Sequence, residues 1–324
     1  MMRKTIIAFG LLLTTVLAPA WAFQAEAAPP ARAELNAAAV PAKAKWIIYV
    51  NIEQAMKNPA AGKLLADFLR MRPQAQKGVA GLKAMGLKFP QDFHDVLLVG
   101  RNVGTNHGVA VLHARISQRH LETLFHARHS AITVTQLAGG VNKIVDKKGH
   151  TIYEASPAPG TFVVSRSQSP LQYELRVLAG KSAGMAAGNP LLAGAHPGGI
   201  LFLADTDMAN LANHQGPRHG PPWMKSVTSG WMAAWVTKGR LTVSSRVNLK
   251  SADTAAKIVQ IAQTWQGVLD LGATNTHAKP RQRFIAGIAD RLNVGAIGKA
   301  IQIHWSMPLK KLLAGPKPQP PATQ

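Results

Sequence analysis

Twelve histidines and no cysteine set the limits on the chemistry open to this chain. His126 and His129 stand three positions apart, with His120 before them, and His214 and His219 fall in a Pro/Gly-rich stretch. Two imidazoles at i and i+3 can share a metal ion, but a complete site takes three or four ligands. No His-Glu-x-x-His segment supplies the others, so each histidine is expected at the surface and no metal ligand is assigned. The lack of cysteine excludes thiol nucleophiles, cysteine zinc sites and iron–sulfur clusters. Ala179-Gly180-Lys181-Ser182 has the closing residues of a phosphate-binding loop, but the glycine required five positions before Gly180 is Leu175. The segment also follows a helical pattern rather than a strand, so it reads as a helix end with a glycine cap, and no cofactor-binding residue is assigned. Gly-x-Ser-x-Gly does not occur, and Ser165 and Ser229 fall in strand patterns, where a hydroxyl is not presented on a sharp turn. Asp205 and Asp207 are the best candidates for a carboxylate pair in a chain with 15 acids. The simpler expectation is that Asp207 caps a short helix after Thr206. No catalytic residue is assigned.

Seven tryptophans invite a binding role. Trp231 and Trp235 lie four apart in a predicted strand and share a face, while Trp265 and Trp305 sit on apolar stripes. Tryptophans on an open sheet can grip sugars or a partner, but packing in the core is the expectation here.

Apolar periodicity supplies the elements that would position these residues. Trp46 to Ile52 reads as a buried strand. Leu64, Leu65, Phe68 and Leu69 share a helical face, and a second helix opens at Pro73. The strands 95–101 and 108–116 form a hairpin. Ser117 caps a helix with Leu121, Leu124 and Phe125 inward. Short strands are predicted at 132–137, 151–155 and 161–165. After a loop-rich stretch, 181–199, a strand at 200–204 and a short helical segment at 208–213 follow. A hairpin of 227–237 and 241–249 turns at Gly239. Ser251 caps a long helix whose stripe is Ala255, Ile258, Ala262, Trp265 and Leu269. A further helix carries Phe284, Ile285, Ile288 and Leu292. A last strand spans 300–307, and Pro308 opens a terminal helix. The two orders match, which predicts an α+β fold: an internally duplicated two-layer unit, its mainly antiparallel sheet covered by helices. Segments 46–137 and 200–306 are expected to superpose, with Trp265 buried against 241–249.

The ends carry the address. Met1-Met2-Arg3-Lys4 is positive, Thr5 to Leu17 is almost wholly apolar, and Ala20-Trp21-Ala22 offers small residues to a signal peptidase. The apolar core is too short for a comfortable membrane span. The expected organisation is a signal peptide over 1–22, a flexible Ala/Pro-rich leader over 23–45, a first half over 46–180, a second over 181–315 and a disordered tail over 316–324. The chain carries 37 Lys and Arg against 15 Asp and Glu, a net charge of +22. Such an excess attracts polyanions. The basic residues are scattered and not interleaved with aromatics, so nucleic acid is not expected.

The pattern His94-Asp95-Val96 opening the first hairpin, and the closing strand ending Ser306-Met307-Pro308, resemble those of a diffuse group of uncharacterised exported bacterial proteins. These are known only as domains of unknown function. The likeness spans most of residues 46–314. It implies an α+β fold and an exported location, and brings no active residues with it. The expectation is a periplasmic or secreted, cysteine-free, non-catalytic protein that binds or scaffolds an acidic partner or anionic envelope polymer. No integral membrane span is expected in the mature chain. The alternative is an exported hydrolase whose site is assembled from distant residues.

Overall fold

Residues 35–70, 87–101, 108–116, 133–145, 149–208, 225–274 and 280–314 are described by a computed structural model. The chain divides into two units, 1–204 and 205–324. The boundary expected after residue 180 therefore lies inside the first unit.

In the first unit a strand rich in β-branched and aromatic residues, β1 (Trp46–Asn51), runs directly into α1 (Ile52–Met56). Asn51 makes the switch, its Oδ1 accepting from the Gln54 amide at 2.8 Å. Asn58 repeats the device ahead of α2 (Pro59–Arg70) by accepting from the Ala60 and Ala61 amides. There follow β2 (Phe93–Gly100), β3 (Gly108–Ala114), β4 (Thr133–Leu137), β5 (Val141–Val145), β6 (Thr151–Ala158), β7 (Thr161–Ser165), α3 (Gln168–Leu178) and β8 (Gly199–Asp205). Their order in the sheet is β8-β1-β2-β3-β7-β6-β5-β4.

One face of this sheet is packed by Ile52 and Leu65 of α1 and α2 against Val96, Leu98, Ala110, Leu112, Phe162 and Val164. The opposite face carries Ile47, Tyr49, Leu97, Val99, Val111 and Val163, all buried. The helix α3 packs on β3, β6 and β7 without joining the first cluster, and turns Leu171, Glu174 and Val177 inward. Trp46, Gly100 and Gly108 stand opposite one another across three strands. A Cβ at Gly100 would come within 2.5 Å of the Trp46 ring, so only bare backbone leaves room for the indole.

Three sequence expectations change here. The strand β5 was not foreseen, although Gly139 and Gly140, both at positive φ, make the turn into it. The leader expected to be flexible to residue 45 is packed from Asn36: a 3-10 turn at Ala37–Ala39 touches α3, Val40 is fully buried, and the Met185 amide donates to the Val40 carbonyl at 2.7 Å. The segment 46–137, expected to match 200–306, ends in β4 at the sheet's far edge, whereas the strand beside β3 is β7. The helices expected at Pro73 and Ser117, with Phe125, lie outside the described residues.

In the second unit the elements are β9 (Val227–Thr237), β10 (Arg240–Leu249), α4 (Ala252–Thr274), α5 (Pro280–Ala289), β11 (Leu292–Ile297), β12 (Ala300–Pro308) and α6 (Leu309–Ala314). The sheet order is β9-β10-β12-β11, all antiparallel. Lys238 and Gly239, at φ 48 and 70, form the primed turn that suits a two-residue hairpin. The Ser251 hydroxyl accepts from the Thr254 amide at 3.2 Å and caps α4 as expected. The predicted helix through Leu292 stops at Ala289, and Leu292 opens a strand instead.

Trp265 was expected inside and is exposed. The packed face of α4 is Ala255, Ile258, Val259 and Ala262, meeting Val247, Leu249, Val294 and Ile301. Gln266 donates to the carbonyls of Ala289 and Leu292, at the end of α5 and the start of β11. A polar side chain therefore faces the fold one position after Trp265, which turns the indole out.

The four strands β2, β3, β7 and β6 and the four strands β9, β10, β12 and β11 run in the same spatial order. In each set a hairpin is followed by a second hairpin whose later strand pairs with the earlier one.

Candidate functional site

The residues singled out from sequence do not assemble. His120, His126, His129, His214 and His219 lie outside the described residues. Among the described residues there is no group of three His, Asp or Glu placed to hold a metal ion. Asp205 ends β8, and its Oδ1 accepts from the Asp207 amide at 2.6 Å. The helix at 208–213 that Asp207 is expected to cap lies, from residue 209 on, outside the described residues. Gly180 closes α3 at φ 68, its amide donating to the Val177 carbonyl. The Ser165 hydroxyl donates to the Gly108 carbonyl at 2.9 Å, and the Ser229 hydroxyl accepts from Asn248 Nδ2–H at 2.8 Å, so both tie strands together. Trp231 and Trp235 do share a face, opposite Arg246 and Thr242 of β10. Trp305 is half-buried and donates to the Ile288 carbonyl at 3.1 Å.

What does assemble is a set of buried polar groups in the first unit. Register places Asn51, Asp95, His113 and Thr161 side by side on β1, β2, β3 and β7. All four are buried. His113 Nδ1–H donates to Asp95 Oδ1 at 2.6 Å, the geometry of a charge-assisted bond. A residue earlier, on the opposite face, His94 Nδ1–H donates to Glu53 Oε2 of α1, also at 2.6 Å. Arg115 stands 3.8 Å from the other oxygen of Glu53. The ladder between β2 and β3 slips between Phe93 and Asp95, leaving His94 unpaired in a bulge. Bulges re-aim side chains in this way. Two histidine–carboxylate pairs therefore sit back to back on adjacent residues of β2.

Neighbouring strands carry a third polar contact, Asn142 Nδ2–H to Glu154 Oε2 at 3.2 Å, again between residues in direct register. Glu174 of α3 differs from all of these. It is fully buried, and neither carboxyl oxygen has a hydrogen-bond partner among the described residues. Desolvation pushes its carboxyl up to about 8, so it is mostly neutral at pH 7.

Chemically, a His–Asp pair beside a threonine hydroxyl has the donor order of a nucleophile-activating relay. Burial of Asp95, His113 and Thr161 separates it from solvent. The sequence pattern His94-Asp95-Val96 marked the place, but the partners Glu53 and His113 are 41 and 18 positions away, and only the fold brings them in.

The second unit presents a different surface. Residues 205–324 hold 15 Lys and Arg against 5 Asp and Glu. The large apolar side chains Ile261, Trp265, Val268 and Leu271 of α4, Ile285 of α5 and Ile297 beside the β11–β12 turn are exposed. Among the described residues no helix is long and apolar enough to cross a membrane.

No family model matches this sequence, and no curated protein does. Among solved structures, crystal form III of TP0453 is similar with a TM-score of 0.49 and 9% identity, covering 87% of this chain and 98% of that one. Crystal form I of the same protein gives a TM-score of 0.47, and form IV gives 0.45, each at 9% identity.

Proposed function

We propose that the chain is exported and acts in the periplasm or beyond as a non-catalytic protein that binds or scaffolds an anionic partner. The observation that carries this reading is where the acids lie. Asp95, Glu154 and Glu174 are buried in the first unit, and Glu174 is mostly neutral at pH 7. Asp92 and Asp205 accept from backbone amides. Lys57, Lys63, Arg115 and Lys257 are in ion pairs. With those carboxylates buried or turned to the backbone, the cations that outnumber the acids 37 to 15 set a positive field, and such a field concentrates polyanions.

The test uses the purified chain and a soluble polyanion such as dextran sulfate. Binding is expected at low salt and should fall steeply as the screening length shortens to about 8 Å at physiological ionic strength. No binding at low salt would leave the charge without a role. For export, mass spectrometry should find the chain starting near Phe23, and an intact Met1 on a membrane-embedded species would overturn it.

The alternative reading is an exported hydrolase, for which the Asp95–His113–Thr161 row, in register but buried, offers Thr161 as the candidate nucleophile. Ester hydrolysis by the purified chain that disappears in Thr161→Val would establish it, and equal rates in both would remove it.

We also infer that the two units descend from one ancestral α+β unit. Support comes from the shared order of four strands and from the helix that follows the last strand of each set, α3 after β7 and α6 after β12. The resemblance to exported bacterial domains of unknown function fits the same reading.

A further inference from the structure

The basic surface of the second unit carries a feature that charge alone does not explain. Ile261, Trp265, Val268 and Leu271 are 56%, 63%, 53% and 75% exposed. Spacings of four and three residues line them along one side of α4. Ile285 of α5, which packs beside α4, is exposed as well. The same helix buries Ala255, Ile258, Val259 and Ala262 against its own sheet. A helix that is apolar on two sides has use for two partners; the sheet is one, and Ile261, Trp265 and Val268 stay exposed on the other side.

Charge and apolarity together choose the other. Lys257, four positions before Ile261 and paired with Asp253 at 2.8 Å, and Arg283, two before Ile285, are exposed at the margins of the stripe. A second copy would bring the same excess of 15 cations over 5 anions against it. An anionic polysaccharide would satisfy the cations but has no apolar interior for an indole and three aliphatic side chains. An anionic phospholipid bilayer offers both, negative head groups at its surface and hydrocarbon a few ångströms below. Tryptophan suits that depth, with an apolar ring and a polar N–H.

We propose that α4 docks the chain on an anionic phospholipid surface. The helix lies in the plane of the interface rather than across it, as amphipathic interfacial helices do. Ile261, Trp265, Val268 and Leu271 reach beneath the head groups, and Lys257 and Arg283 stay at phosphate level. This rests on the reading of an anionic partner and specifies it.

The experiment is co-sedimentation of the purified chain, its first residue identified by mass, with two kinds of vesicle. One is an equal mixture of phosphatidylglycerol and phosphatidylethanolamine, and the other is phosphatidylcholine alone. Dextran sulfate serves as a polyanion without an apolar interior. The wild type should bind the anionic vesicles and leave phosphatidylcholine largely alone. The double variant Ile261→Ser/Trp265→Ser, confirmed folded by circular dichroism, should lose on the order of tenfold in vesicle affinity while binding dextran sulfate unchanged. A double variant that binds vesicles like the wild type overturns the docking. So does a wild type that binds dextran sulfate but not vesicles, which spares the anionic-partner reading. Failure to bind either overturns both. If the double variant instead abolishes self-association seen by sedimentation, or loses an isolated acidic protein partner with vesicle binding intact, the stripe is a protein interface and the lipid assignment falls.

Discussion

The first unit hides Asn51, Asp95, His113, Glu154 and Glu174 from water, while the second holds Ile261, Trp265, Val268 and Leu271 out in it. Each arrangement runs against the ordinary partition of side chains, and in opposite directions. A buried polar group is tolerable when hydrogen-bonded and costly when it is not. For Asp95, His113 and Glu154 the first unit meets that condition through register, since residues directly opposite on neighbouring strands become each other's partners, whereas Glu174 stays buried by holding its proton. Asp95 opposite His113 and Asn142 opposite Glu154 are of this kind. Among its described residues the second unit keeps its stripe exposed. Polarity inside a fold is resolved by the fold itself, and apolarity outside is resolved by something else.

The comparison breaks most readily at His113. Changing it to Ala would leave the Asp95 carboxylate buried without its 2.6 Å donor. Removing one member of a buried pair costs roughly 3–5 kcal/mol. Urea denaturation should show that loss, and Asp95→Asn in the same background should restore part of it. An unchanged midpoint would mean that the pair is solvated and the first unit is not built on it.

Glu174 sharpens the contrast through pH. Its carboxyl is raised from 4.5 to about 8 because the ionised form would be buried without a donor. Between those values the folded state holds a proton that the unfolded chain has released. Stability from this group is therefore fully present below pH 4.5 and is lost as pH rises through 8. The loss is on the order of a few kcal/mol. In Glu174→Gln that slope should flatten, so the variant gains on the wild type as pH rises from 5 toward 9. Parallel melting profiles across that range would show that Glu174 has a partner after all.

The smallest effect is expected where the sequence reading placed one of the largest. Trp265 on a buried stripe would cost roughly 3–5 kcal/mol to truncate. Exposed as it is, Trp265→Ser should move stability by about 0.5 kcal/mol or less, readable in the same denaturation series. A large loss would return the indole to the core and remove the distinction between the units.

Trp265 also shows why legibility varied along the chain. Local chemistry was readable: Ser251 before a helix, Gly239 in a hairpin and Gly180 after a helix all act where the sequence put them. Helical phase was not, because Trp265 and Gln266 are adjacent and the choice between them depends on carbonyls at Ala289 and Leu292. The strand β5 was missed although Gly139-Gly140 announced its turn, since its Val-Asn-Lys-Ile-Val carries polar residues that read as loop. Asn142 in that strand is buried because Glu154 lies opposite it. The histidine pairs were beyond reach for a related reason. A single sequence marks His94-Asp95 as a pattern, but its partners come from α1 and β3, and nothing local points to them.

The notch at Gly100 and Gly108 ties three distant positions into one inherited unit. The indole of Trp46 occupies the volume that side chains at those positions would fill, with a Cβ at Gly100 falling 2.5 Å from the ring. A larger residue at Gly100 must displace the ring, one at Gly108 crowds it at 3.1 Å, and a loss of the ring exposes the bare strand. Descendants of this chain should therefore keep tryptophan and both glycines together or exchange them together, so that a lineage in which Trp46 has become small is the one in which Gly100 is free to grow.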